Sequence, residues 1–232
     1  MRLSQILFSQ GFGARRECEG LVAHGLVKVA GEVIDDPQAE FDVSQGLAFE
    51  VDGLPWVYHE KALVMLHKPA GYECSLKPSA WPGVHTLLPL PLRRRGVQPV
   101  GRLDQDTTGL LLLTDDGPLL HKLTSPKHHV PKVYEVTARH PLSQQQVDRL
   151  LAGVVLDDDP RPVKADAAEL TGETTLRLTL VQGKYHQVKR MLAAVGNRCE
   201  QLHRSRVGGL VLPHDLPAGK WLWVDDPSAI FR

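Results

Sequence analysis

The stretch GRLDQDTTGLLLLTDDG, residues 101–117, sets four aspartates around a run of four leucines. Leu110 to Leu113 are comfortable only inside a core, so a buried strand is expected there. Asp104 and Asp106 come just before it, in a bend framed by Gly101 and Gly109. A carboxylate at the entry to a core must be solvated, paired or employed. Asp115 and Asp116 precede Gly117-Pro118 and read as turn formers that cap the helix after them. Asp106, standing before Thr107-Thr108-Gly109, fits an Asx turn. Asp104 has no such local partner, and Arg102 is the positive charge beside it.

Outward from this stretch the chain divides in two. Residues 2 to 25 read as two short helices, with Leu3, Ile6 and Leu7 on one face of the first and Cys18, Leu21 and Val22 on one face of the second. LVKVAGEVI then alternates on both sides of Ala30-Gly31, a tight hairpin. Asp52-Gly53-Leu54-Pro55 is a turn, after which the composition changes, and a boundary is placed near residue 59, giving units 1–59 and 60–232. In the second, ALVMLHKP, KVYEVTA and TTLRLTLV read as strands, and LSQQQVDRLLAG is a helix with Ser143 as N-cap and Gly153 as stop. HQVKRMLAAVG is a helix ending at Gly196, and strand pieces near Leu202, Leu210 and Trp221 follow. Pro69 to Pro99 reads as irregular, with Arg93 to Arg95 in a solvated or RNA-contacting loop. Strands mixed with few helices indicate an α+β fold with a mixed, largely antiparallel sheet.

Composition excludes several classes. No apolar run is long enough to cross a membrane, and the opening residues lack a signal-peptide pattern. Three cysteines, far apart and without CxxC, argue against a disulfide framework and for a reducing cytoplasm. The formal net charge is zero, but it is unevenly spread. Lys184 to Arg206 carries six Lys/Arg against one acid, whereas Val155 to Thr175 carries six acids against two basic residues. Such segregation can create a basic face on a neutral molecule. His128-His129 does not make a metal site, since adjacent residues point apart and no third ligand is near in sequence.

A helix starting near His186 would place Lys189 one turn in, beside core-facing Met191 and Leu192. At about 4 Å from Asp104 it would attract the carboxylate by roughly 4 kcal/mol at an effective dielectric near 20. The alternative is a solvated basic helix face.

GRLDQDTTGLLLLTDDG resembles the active-site motif of the pseudouridine synthases that modify ribosomal RNA. LHKPAG resembles their K-P-x-G segment, KVYEV their K-x-Y segment, and GKYHQVKRM with QLHRSRVGGL their C-terminal motifs, in the same order. The first unit resembles an S4 (αL-type) RNA-binding domain. TSPKHHVPKVY with GKYHQVKRMLAAVGN is most similar to the RsuA-type, small-subunit branch; large-subunit relatives more often carry Asn-Arg in place of Tyr185-His186. His67 stands where Asn commonly precedes Lys-Pro, and Ala14 replaces a capping serine, which should weaken that cap by roughly 1 kcal/mol.

The resemblance implies isomerisation of a uridine to pseudouridine in 16S rRNA, of the uridine-516 type, with no cofactor and no nucleotide cofactor. It maps the essential aspartate onto Asp104, the pocket tyrosine onto Tyr134 and the apolar wall onto Leu202. Lys189 is the expected partner that keeps Asp104 ionised, and Arg102 fills the gap left by the flipped base or holds a phosphate. The basic residues expected to meet RNA are Arg2, Arg15, Arg16, Lys28, Lys68, Lys127, His128, Lys132, Lys184, His186, Arg190 and Arg204. The partner is 16S rRNA or a small-subunit assembly intermediate, with no membrane and no need for more than a monomer. The alternatives are a 23S rRNA synthase, a non-catalytic S4-type ribosome-binding protein, and a metal-free ribonuclease using His128 or His186.

Overall fold

The computed structural model describes residues 1–125, 128–157 and 159–232, the Asp159 side chain apart. They divide into two compact units, residues 1–62 with 85–98 and 114–116, and residues 63–84 with 99–113 and 117–232.

In the first unit, helices α1 (Leu3–Ser9) and α2 (Arg15–Ala23) bury Leu3, Ile6, Leu7, Cys18 and Val22 completely. Strands β1 (Val27–Val29), β2 (Glu32–Ile34), β3 (Ala48–Val51) and β4 (Leu54–Val57) form an antiparallel sheet in the order β2-β1-β3-β4. Ala30 and Gly31, like Asp52 and Gly53, all have positive φ, as two-residue hairpin turns require. Leu54 and Pro55 therefore belong to β4, because two residues complete the reversal. Ala14 offers no side-chain cap to α2, yet the Glu17 carboxylate accepts the Ala14 amide at 2.6 Å, so one half of a capping box survives.

This unit takes in more than residues 1–59 because of Arg95. Only 4% of its side chain is exposed; its Nε meets Asp115 Oδ2 at 2.7 Å, Nη1 reaches Gln10 Oε1 and the His59 carbonyl, both at 2.9 Å, and Nη2 donates to the Glu60 carbonyl at 3.1 Å. Asp115 also accepts the Ala62 amide at 2.7 Å. Residues 90–94 are helix α3 (Leu90–Arg94), leading into Arg95. Two expectations are thereby corrected: Arg95 lies neither in a solvated loop nor on an RNA surface, and Asp115 is the anion of a buried clamp. A fixed, planar guanidinium taken out of water needs a carboxylate and carbonyls around it, and no reading of neighbours along the chain could supply them.

The second unit holds β5 (Leu63–Lys68), β6 (Gln98–Pro99), β7 (Thr108–Thr114), α4 (Gly117–Thr124), β8 (Lys132–Ala138), α5 (Gln144–Ala152), β9 (Val154–Leu156), β10 (Asp159–Val163), β11 (Ala167–Leu170), β12 (Thr175–Leu180), α6 (Gln187–Ala194), β13 (Cys199–Val207), β14 (Leu210–Val211) and β15 (Trp221–Trp223). Its main sheet runs β11-β12-β8-β13-β7-β5-β15, with β14 on β13 and β6 on β7. β13 pairs with β7 in parallel, while the β11/β12, β12/β8, β8/β13, β13/β14 and β5/β15 pairs are antiparallel. The fold is α+β. β8 and β12 alternate between buried and more open positions, as strands with one covered face do. β7 is buried from Gly109 to Thr114, the pattern of a central strand covered on both faces. Leu110 and Leu112 join Leu63, Met65, Val207 and Val224 in one core cluster. α5 has a complete capping box, Ser143 Oγ accepting the Gln146 amide at 3.3 Å and Gln146 Oε1 accepting the Ser143 amide at 3.0 Å.

Gly109 allows β7 to lie against β13. It has φ +110°, and a Cβ there would collide with the backbone carbonyl and amide of Arg204. Gly109→Ala is expected to destabilise the second unit by about 3 kcal/mol, read as a lower urea midpoint, because strain and a backbone clash coincide. Asp115→Ala should cost the first unit about 3–5 kcal/mol by stranding the Arg95 charge; an unchanged midpoint would show that the clamp contributes nothing.

Candidate active site

The site begins with a buried lysine. Lys68, at the end of β5, is fully buried, and its ammonium donates to the carbonyls of Pro69 (3.0 Å), Asp104 (3.0 Å), Gln105 (3.3 Å) and Thr107 (2.8 Å). The expectation that Lys68 meets RNA is corrected, since a buried ammonium turned onto carbonyls has no face left for phosphate. Burial pulls its pKa below the usual lysine value, an effect that Cys74, Asp106 and Asp104 oppose. The Gly71 amide adds a bond to the Gln105 carbonyl at 2.7 Å. With its carbonyls drawn inward, the bend at 104–107 turns the Asp104 side chain outward, 27% exposed.

That carboxylate faces a cavity of about 1290 Å3 in the second unit, whose walls include Arg102, Tyr134, His186, Lys189 and Leu202. Tyr134 and Leu202 are buried, on adjacent strands β8 and β13, with Tyr134 opposite Arg204 and Leu202 opposite Val136 in the register. Arg102 is exposed at the rim.

α6 delivers the cations. His186, its N-cap, has φ +49°, and Val188, Met191 and Leu192 bury the apolar face, leaving Lys189 beside them to reach the bend. Lys189 Nζ lies 3.0 Å from Asp104 Oδ2, and 2.7 and 2.9 Å from the two oxygens of Asp106. His186 Nε2 lies 3.3 Å from Asp104 Oδ1. At 3 Å the Lys189–Asp104 attraction is about 5 kcal/mol before desolvation, at an effective dielectric near 20. Burial disfavours the Lys189 ammonium, but its bonds to Asp106 and Asp104 outweigh this and raise its pKa. For Asp106, partial burial works against the anion while Lys189 lowers its pKa on balance. Asp106 is thus the second carboxylate on the lysine rather than only an Asx-turn residue, a role that sequence reasoning missed because the Thr107-Thr108-Gly109 turn already offered Asp106 a local partner.

The other basic residues fall into three groups. Arg2, Arg15, Arg16 and Lys28 are exposed on the first unit, Lys28 pairing with Glu50 at 3.2 Å. Lys132 and Lys184 are half-buried in the cavity wall, Arg190 turns away to donate to the Tyr185 carbonyl at 3.1 Å, and His128 is exposed. Burial, helped by the nearby Arg204, lowers the Lys132 pKa to about 8. Arg204 is 3% exposed and donates Nε to the Leu110 carbonyl at 2.8 Å. It lines the cavity and is tied to β7 by that bond. Lys127 falls outside the described residues. Among the described residues no group of three His, Cys, Asp or Glu could hold a metal ion, and no helix is long and apolar enough to cross a membrane.

Comparison with known proteins matches residues 62–194 to the model of the RNA pseudouridylate synthase family and residues 1–45 to that of the S4 domain. "Ribosomal small subunit pseudouridine synthase A" of Escherichia coli (strain K12) is 39% identical over 223 residues, covering 95% of either chain. Its namesake in Haemophilus influenzae is 35% identical over 221 residues, 95% of this chain and 94% of that one. A solved structure described as "Crystal structure of pseudouridylate synthase" aligns over 99% of this chain and 98% of its own, with TM-score 0.69 and 31% identity. The chain belongs to the RNA pseudouridylate synthase family and carries an S4 domain over residues 1–45.

Proposed function

We propose that this protein isomerises a uridine of 16S rRNA to pseudouridine, with Asp104 as the reacting carboxylate. The observation that carries the reading is Asp104 at the wall of a large cavity, 3.0 Å from Lys189 and facing the same space as Tyr134 and Leu202. The small-subunit assignment is supported by relatives at 35–40% identity that are named for that subunit. The sequence resemblance implies uridine 516 as the target and rRNA or an assembly intermediate as the substrate, while the few, scattered cysteines point to a reducing cytoplasm and nothing in the sequence demands more than a monomer.

The reaction breaks N1–C1′, turns the uracil and joins C5 to C1′; C5 releases its proton, N1 gains one, and no external oxidant or reductant is needed. Asp104 acts either as nucleophile at C1′ or as base on a ribose proton, and in both routes it must be unprotonated. Lys189 and Asp106 serve that requirement together: Asp106 anchors the ammonium, which then faces Asp104. His186 adds a second positive partner whenever its ring is protonated. The target base must leave its stack at a cost of a few kcal/mol, part of which the Tyr134 ring and the Leu202 wall offset. Arg102, exposed at the rim, is placed to occupy the vacated position or to hold a phosphate. Arg2, Arg15, Arg16 and Lys28 provide phosphate contacts on the S4 unit, and Lys132 and Lys184 provide them in the cavity wall.

Asp104→Asn is expected to abolish tritium release from 5-tritiated uridine in transcribed 16S rRNA, with RNA affinity kept within a few-fold. Retained turnover would remove the assignment of Asp104, and mapping the product tests position 516. In the Asp104→Asn background, RNA affinity should fall as pH rises through about 8, because Lys132 loses its proton there. The sign follows from a folded pKa below the lysine value of 10.5: the charge that attracts phosphate is present below about 8 and absent above it. Lys132→Met should flatten that step; an unchanged pH profile would show that Lys132 does not touch RNA.

A further inference from the structure

Beside the cavity runs a loop whose internal brace has no part in the chemistry described so far. The Glu73 carboxylate accepts the backbone amides of Ser79 (3.3 Å), Ala80 (3.1 Å) and Trp81 (3.0 Å). The Glu73 amide donates to the Pro82 carbonyl at 2.9 Å, and the Val84 amide to the Glu73 carbonyl at 2.9 Å. The bond from Ala80, joined by those from Trp81 and Ser79, outweighs the opposing desolvation and holds Glu73 below the ordinary carboxylate range, so the brace is charged at neutral pH.

What the brace presents is an indole. Trp81 keeps 47% of its surface exposed, a costly state for a side chain that contributes more by burial than almost any other. Its Cε3 stands 4.0 Å from the place a Cβ on Gly71 would take, and the Gly71 amide is bonded to the carbonyl of Gln105, the neighbour of Asp104. Trp81, Glu73 and Arg102 line the same cavity as Asp104. Tyr185, also strongly exposed there, already has one face stacked on His186, with centroids 3.8 Å apart and planes 20° apart.

We propose that Trp81 is a stacking platform for an unpaired nucleobase flanking the uridine held at Asp104, with Arg102 on the adjoining phosphate. The identity of the central uridine rests on the isomerase reading above; the platform itself rests on the loop. A π-face accepts any base, so the subsite adds affinity without demanding a sequence, and it selects RNA that is single-stranded around the target. Glu73 does not repel the phosphate strongly, because its oxygens are taken by amides and Arg102 lies close enough to act on its charge.

The test uses the full chain carrying Asp104→Asn, titrated with transcribed 16S rRNA while tryptophan fluorescence is read. Binding should quench part of the signal. Trp81→Phe in that background should remove the Trp81 share of the quench with little loss of affinity, leaving Trp56, Trp221 and Trp223 as reporters. Trp81→Ala should weaken binding about tenfold, equivalent to about 1.4 kcal/mol. In the active chain Trp81→Ala should raise KM by a similar factor, with a smaller change in kcat. Glu73→Ala should weaken binding, and its effect should largely vanish when Trp81 is already alanine. Unaltered affinity in Trp81→Ala, or an unaltered quench in Trp81→Phe, would overturn the proposal. A wild-type chain that releases no tritium would sink the isomerase reading, whereas the titration would still report on Trp81.

Discussion

A single buried ammonium holds the site together. Lys68 gives its hydrogen bonds to four backbone carbonyls, three of them in the bend at residues 104–107. Carbonyls carry only partial charge, so this is a costly place for a cation, and burial does lower its pKa. What the arrangement provides is direction. With its carbonyls anchored inward, the bend projects the Asp104 and Asp106 side chains the other way, toward α6 and the cavity. Gly109 then lets β7 leave the bend directly under the Arg204 backbone, where any side chain would collide. The position of one carboxylate therefore depends on a lysine that never meets solvent and on a glycine that leaves room.

The second constraint is electrostatic. A carboxylate that must stay ionised in a cavity for a polyanion faces repulsion from its own substrate, and desolvation adds to the cost of keeping its charge. Lys189 offsets both, and its placement depends on Asp106, which binds it through both oxygens. One ammonium between two carboxylates is less exchangeable than a simple pair, since losing either carboxylate leaves the lysine committed to the other. His186 contributes from an N-cap position in the left-handed region, its ring 3.3 Å from the Asp104 carboxylate. The cavity thus presents a fixed anion within a rim of cations.

Much of this was legible along the chain, because the relevant physics is local there. The leucine run required a central strand, alternation fixed β8 and β12, Ser143 and Gly153 bounded α5, and Ala30-Gly31 required a hairpin. The motif order pointed to the family and singled out Asp104. Arg95 and Lys68 were misjudged for one shared reason. A charged side chain looks like surface in a sequence, and only distant groups can show that it is buried and satisfied.

The amino-acid sequence by itself determined the longer strands and helices, the α+β class and the residue types of the site, since periodicity, turn chemistry and capping act over a few residues; α3 and the short strands β6, β9, β10 and β11 carry too little pattern to be read that way. The tertiary structure decided the partners: that Lys189 holds Asp106 as well as Asp104, that Lys68 faces carbonyls instead of phosphate, and that Trp81 stands at the cavity. These are contacts between segments far apart in the chain. Their energies depend on distance and burial, which exist only once the strands have been brought together.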